Sequence, residues 1–452
     1  MLTRGPRSHP GWTDPDARPS RLRCQGRPGQ NPGVPTDPPA PALATPIVDD
    51  PTMVVRDDLA PDELPAPAWD ALAPGQPLLS HAMFTALHAS GCASPRTGWR
   101  PRFLTGWRDG RLVAAMPLYE KAHSYGEYVF DWAWADFHQR HGVAYYPKLL
   151  AAVPFTPATG PRLLALPGVS PLPLLDEALR RLRTAAPHAP RFSSLHLNFI
   201  TEREAEACEE AGMVLRRGLQ FHWINPGYRD FEDYLAAFTR DRRKKIRQER
   251  RRLAAARVIF ERRVGSEIRA DDWVHFHRCY ENTYHAHGGT PYLDLGFFLR
   301  LGATMPEALL LVIGRRDGVP VCAALDVFAG DTLWGRYWGT VEAIPGAHFE
   351  ACYYQAIEFA IERGIRHFEG GAQGLHKLAR GLLPVATTSA HAIADARFAG
   401  PIAEFCARER QSVAATEAEL AAAAPLRAPP PPEFPDPVDR DESDRERHPQ
   451  SG

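Results

Sequence analysis

The segment EGGAQGLHKLARG, residues 369–381, concentrates side chains that do chemistry. Gly370, Gly371 and Gly374 allow positive φ and let a ligand approach the backbone closely. Gln373, His376, Lys377 and Arg380 place hydrogen-bond donors around them. If a helix begins near Gly374, all but Gln373 fall in its first two turns, and Lys377 and Arg380 share a face. That pattern suits a phosphate or a carboxylate. Glu369 closes an apolar strand run, and ligands of α/β proteins gather at such strand ends. A carboxylate there can act as a base or hold a substrate amine. The expectation is that Glu369 and His376 are catalytic and that Gln373, Lys377 and Arg380 bind substrate. The plain alternative for each residue taken singly is a surface ion pair.

A second charged stretch, RDRRKKIRQERRR at 240–252, has nine Arg or Lys among thirteen residues. Like charges this dense repel unless anions visit. Arg242, Arg243, Lys244, Lys245 and Arg247 are therefore candidates for a phosphate site, against the bland reading of a solvated helix face. The aromatic-rich DWAWADFHQRHGVAYYPKL offers Trp132, Trp134, Tyr145 and Tyr146 as cleft walls, with Asp131, Asp136 and Lys148 as polar groups. A core layer with satisfied polar tips explains them equally well. ENTYHAHGGTPYL carries Glu281, Tyr284, His285 and His287 and reads as an acceptor-side loop. His285 and His287, two apart, do not share a helix face, so no metal pair is expected.

The elements must position these groups. The chain has 452 residues, 44% hydrophobic, with a net charge of −1. That length suits two or three domains, and the neutral balance provides no global field to draw polyanions. Seven scattered cysteines without a Cys-x-x-Cys predict reduced thiols and a cytoplasmic protein. The apolar run ALLLVIG is far too short to span a bilayer. Residues 1–50, rich in Pro, Arg and Gly, and 421–452, Pro-rich and charged, are expected to be disordered.

Between the tails, two blocks repeat an order of strands, helix and strand, which reads as a duplicated α/β domain. The first covers 51–230, with a hairpin around RDG, a helix at 172–186, a strand at 193–199, a helix at 202–212 and a strand at 219–225. The second covers 257–420. In it, two helices precede three strands within 308–340, a helix at 348–364 that stops at Gly364, and a strand at 365–371. A basic helical connector, 231–256, joins the blocks, with Leu235, Phe238, Ile246 and Leu253 on its apolar face.

Three stretches together, 124–164, 219–252 and 367–385, resemble the FemAB-like predicted N-acyltransferases, often labelled peptidogalycan biosynthesis or recognition proteins, within the GNAT acyltransferase superfamily. The resemblance spans about 55–420. It implies two tandem GNAT-like domains and transfer of an acyl or aminoacyl group to an amine. The donor is then acyl-coenzyme A or aminoacyl-tRNA, a co-substrate rather than a permanently bound cofactor. The acceptor is a small molecule or a cell-wall precursor. Fem-type relatives carry a basic segment in a comparable place, which implies contact with an anionic substrate, tRNA included. In a GNAT fold the donor phosphates rest at the turn after the fourth strand. The matching residues are Pro345, Gly346, Ala347 and His348, without the usual Gly-rich form. One position departs from the family pattern: Leu375 stands where an acidic residue is common. That departure motivates a non-catalytic protein that recognises peptidoglycan fragments, and the basic stretch motivates one that binds nucleic acid through the basic helix.

Overall fold

Asp317 and Gly318 take left-handed backbone, with φ of 50° and 82°. This conformation reverses the chain tightly between two apolar runs. The expected hairpin at Asp109 and Gly110 forms in the same way. The computed structural model describes residues 53–184, 191–372 and 374–427. Residues 1–50, Gln373 and the tail beyond 427 lie outside the described residues. Residues 421–427, expected in the tail, instead dock on the basic connector: Arg427 donates its backbone N–H to Ala237 O at 2.8 Å.

The fold is mixed α/β, as expected. The first block supplies β1 (Val54–Arg56), β2 (Trp99–Pro101), β3 (Leu104–Arg108), β4 (Arg111–Met116) and β5 (Leu118–Lys121). It continues with β6 (Lys148–Ala151), β7 (Leu164–Ala165), β8 (Ser194–Ile200) and β9 (Val214–Ile224). The second block supplies β10 (Val258–Val264), β11 (Leu309–Arg316), β12 (Val319–Ala329), β13 (Thr332–Thr340), β14 (His367–Glu369) and β15 (Leu383–Ile393). Strands β1, β3, β4 and β7 make a small sheet. The other eleven form one sheet in the order β10-β11-β12-β13-β14-β9-β15-β8-β6-β5-β2. Strand β15, from the second block, lies between β9 and β8 of the first and pairs with both. The two blocks thus share one continuous sheet.

The register puts a polar stripe on one face of that sheet. Lys121 pairs with Lys148, His391 with His196, and Glu369 with His222, and all six are buried. The segment 124–162 covers this stripe. The opposite face is apolar. Leu195, Leu197 and Leu149 pack with Leu175 and Leu179 of the helix Leu172–Arg183. Phe221, Trp223 and Phe368 pack with Ile357 and Ala360 of the helix Gln355–Glu362. The basic connector is a short helix, Phe231–Ala236, followed by Arg240–Ala255. Its four expected apolar-face residues are all buried. Among the described residues no helix is long and apolar enough to cross a membrane.

Candidate active site

Strands β13 and β14 run parallel but pair over only three residues, ending at Trp334 and Glu369. Strand β13 continues to Thr340, so the two diverge and open the sheet. Beyond Glu369 the chain turns, with Gly371 at φ 77° and Gly374 at φ 118°. A Cβ on Gly371 would sit 3.2 Å from Gly335 O, so only glycine lets the loop lie against β13. The register of β13 against β12 shifts here, leaving Arg336 as the extra residue of a bulge. Bulges re-aim side chains and release backbone groups from the ladder.

Glu369 lies at the foot of the gap and is 8% exposed. Burial lifts its carboxyl to about 7, against the pull of the Thr159 amide, the neighbouring Trp334 indole and the Arg336 and Arg162 charges. Among the described residues its Oε2 has no hydrogen-bond partner. A carboxyl that titrates near neutrality and keeps a free oxygen is suited to take up a proton. The covering loop 154–162 is held beside it: Arg336 NH2 donates to Phe155 O (2.7 Å), and Gln220 Nε2 donates to Pro157 O (2.8 Å).

On the other side of the gap the structure brings two sequence-predicted groups together. Residues Leu375–Arg380 form the expected helix after Gly374, as two turns of 3-10 geometry. His376 Nε2 lies 3.0 Å from Tyr353 OH, and its ring is 5.5 Å from that of His348. His348 follows Pro345 and Gly346 in the short helix Ala347–Phe349. Burial, with the His376, Arg380 and Lys377 charges, pushes His348 down to about 3, so it is neutral at pH 7.

Lys377 and Arg380 differ from expectation. Lys377 is buried and donates to Gly371 O (2.9 Å) and Ala372 O (3.0 Å), and burial lowers its ammonium to about 7. Arg380 lies 3.3 Å from the Phe349 ring centre, donates to His376 O (2.8 Å) and approaches Glu249 at 3.4 Å. Both cations brace the loop instead of facing solvent.

The basic helix is divided by its partners. Arg242 is mostly buried, 3.6 Å from Glu249, and Arg247 is paired with Glu232 at 2.5 Å. Arg250, not singled out from the sequence, bridges Glu350 and Glu358 at 2.9 Å each. Among the described residues Arg243, Lys244 and Lys245 have no ion-pair partner, and both lysines are exposed.

The aromatic residues do not line one cleft. Trp134 and Tyr145 are core, packed with Phe398 and Ile402, and Tyr146 is half-buried at that core's edge, while Trp132 is 41% exposed beside Tyr125. The hydroxyls of Tyr145 and Tyr146 join a buried network that sequence reasoning missed in Lys121, Glu127, His196 and His391. Lys148 donates to Ser124 Oγ and Glu127 Oε2, both at 2.8 Å, and to Asp131 Oδ2. Tyr145 OH donates to Asp131 Oδ2 (2.6 Å), so its oxygen accepts from His196 Nε2 (3.3 Å), which also meets Ser194 Oγ at 2.7 Å. His196 is neutral because burial and the Lys148 charge depress it. Its Nδ1 must then accept from His391 Nδ1 at 2.6 Å, and His391 Nε2 accepts from Ser389 Oγ at 2.9 Å. The chain of bonds is polarised toward Asp131 and locks β15 to β8. The available signal was a histidine alternating with apolar residues in each strand.

A model of the family FemAB-like, peptidogalycan biosynthesis/recognition, matches residues 60–428. The chain belongs to the FemAB-like family. No curated protein matches it. A crystal structure of FemX superposes with a TM-score of 0.41 at 12% identity, over 68% of this chain and 90% of that one. The L-PGS structure from Bacillus licheniformis gives 0.42 at 9%, over 75% and 98%. A tandem GNAT protein from the clavulanic acid biosynthesis pathway gives 0.39 at 11%, over 76% and 99%.

In this FemAB-like chain Leu375 is 67% exposed at the mouth of the glycine loop. A surface groove of about 460 Å³ lies elsewhere, at the opposite ends of β13 and β14 beside Gly330 and Ile365. It contains none of the groups described above. Among the described residues no three or more of His, Cys, Asp and Glu gather as metal ligands do.

Proposed function

We propose that this chain is an N-acyltransferase in which Glu369 is the general base. The acceptor amine enters on the Glu369 side of the gap, and the donor carbonyl on the His376 side. The amine nitrogen bonds to the carbonyl carbon, and the bond to the donor's sulfur or ribose oxygen breaks. The amine proton passes to the Glu369 carboxylate and then to the leaving thiolate or alkoxide. The Tyr353–His376 pair sits where a donor would be oriented. Acyl-coenzyme A and aminoacyl-tRNA are both donors of the required chemistry. Arg243, Lys244 and Lys245, unpaired on the surface, favour a donor with several phosphates. A cell-wall precursor or a smaller amine serves as acceptor. The observation that carries the reading is Glu369, a buried carboxyl with a free oxygen, lifted to about 7 where two parallel strands part.

The test is transfer from labelled acetyl-coenzyme A, longer acyl-coenzyme A and charged tRNA to a panel of amines. A wild-type kcat/KM that rises with pH through about 7 is expected. Glu369→Gln should remove the rise and lower kcat by about 10²–10⁴, the usual worth of a general base. Full activity in that variant would refute the assignment.

A further inference from the structure

Arg336, the bulged residue of β13, is held in an unusual way. Its NH2 is tied to Phe155 O (2.7 Å), Thr156 Oγ1 (3.1 Å) and Tyr337 OH (3.2 Å). These bonds fix the guanidinium in place, while its Nε and NH1 make no hydrogen bond among the described residues. The wall around it is built of tyrosines from three separate segments. Tyr280 and Tyr284 come from the helix Ala270–Ala286, Tyr337 from β13 and Tyr128 from the covering segment. The Tyr280 ring is 4.8 Å from Tyr284 and 5.4 Å from Tyr337. Tyr128, Tyr284, Arg336 and Tyr337 are half-buried along this wall, whereas Glu369 below is buried.

Arg336 and Glu369 carry opposite charges on neighbouring strands, close enough for each to feel the other. They form no ion pair. Each leaves polar atoms uncommitted: Nε and NH1 on the arginine, Oε2 on the glutamate. A simple amine would satisfy only the carboxylate. A ligand carrying both an amine and a carboxylate satisfies both groups, with the planar guanidinium on the carboxylate and the aromatic wall on the remainder.

We infer that the acceptor is an amine with a carboxylate beside it, an amino acid or a residue at a peptide end, with Arg336 holding the carboxylate and Glu369 the amine. The inference rests on the acyl-transfer reading for the fate of the amine, but not for its binding.

Three matched pairs test it on the full chain: alanine and ethylamine, phenylalanine and phenethylamine, lysine and cadaverine. Each pair differs only in the carboxylate. Binding is followed by ligand-observed NMR and transfer by KM. For at least one pair, the carboxylate-bearing member should bind tenfold or more tightly. Arg336→Gln should abolish that preference, and Arg336→Lys should restore part of it, with circular dichroism unchanged in both. Wild-type protein that separates none of the pairs overturns the inference. So does a folded Arg336→Gln protein that keeps the preference. Should Arg336→Gln not fold, the wild-type pairs and Arg336→Lys decide. Equal transfer to both members of every pair sinks this inference and leaves acyl transfer standing. A clear binding preference with no transfer from any donor does the reverse.

Discussion

Replacing Lys148 by Met removes the cation bonded to both buried carboxylates, Glu127 and Asp131, and leaves Glu127, among the described residues, only Lys121 at 3.9 Å. The ammonium is fully buried and bonded to Glu127, Asp131 and Ser124. Burial works against its charge, but Asp131 and Glu127 keep it above the ordinary lysine range. Burial already lifts Glu127 to about 7, and burial lowers its other neighbour, Lys121, to about 7 as well, so Lys121 is a poor substitute cation. Asp131, against its own burial, is held below its usual value chiefly by Lys148. Breaking a buried pair from one side typically costs about 3–5 kcal/mol, and that loss is expected here at pH 7. The variant meets the penalty by protonating Asp131 in the folded state while the unfolded chain keeps it ionised. Folding then takes up a proton, so the variant gains stability as pH falls. The slope is about 1.4 kcal/mol per pH unit for each such carboxyl, and lowering the pH from 7 to 5 closes about 2.7 kcal/mol of the gap. Urea unfolding of both proteins at pH 5, 6 and 7 measures this. A second variant, Lys148→Met with Asp131→Asn, should recover part of the loss at pH 7. A single variant within about 1 kcal/mol of wild type at pH 7, or a gap that does not narrow in acid, would refute the reasoning.

Two further predictions concern packing and the basic helix. A Cβ on Gly339 would lie 2.0 Å from Cys279 O, where the helix Ala270–Ala286 crosses β13. Gly339→Ala should therefore lower stability by about 3 kcal/mol or more, an overpacking clash against backbone, and an unchanged urea midpoint would contradict that contact. Replacing Arg243, Lys244 and Lys245 together by Gln should change stability by no more than about 0.5 kcal/mol, since none is paired. The same variant should bind charged tRNA more weakly, with a salt slope reduced by about 2–3, and an unaltered slope would remove the helix from the donor site.

Much of the local architecture was legible from the sequence. The hairpins at Asp109–Gly110 and Asp317–Gly318, the three strands within 309–340 and the stop at Gly364 follow from turn residues and apolar runs that act over a few positions. The basic helix and its apolar face followed from spacing alone. Glu369 at a strand end was legible too. Its environment was not, because the groups that act on its carboxyl, Thr159, Trp334, Arg336 and Arg162, are all far away in sequence. Lys377 and Arg380 read as binders of a substrate phosphate or carboxylate because a charged side chain in a glycine-rich loop normally faces outward. Only packing against Phe349 and the loop's own carbonyls turned them inward.

By itself, the sequence determined the element types, the dense basic helix and the glycine loop that admits a close approach. Each of these is a property of neighbouring residues. Tertiary structure alone decided that β15 enters between β9 and β8, because strand order depends on which long-range pairing buries the most surface. That placement joined His391 to His196 and lined Lys121, Lys148 and Glu369 along one sheet face.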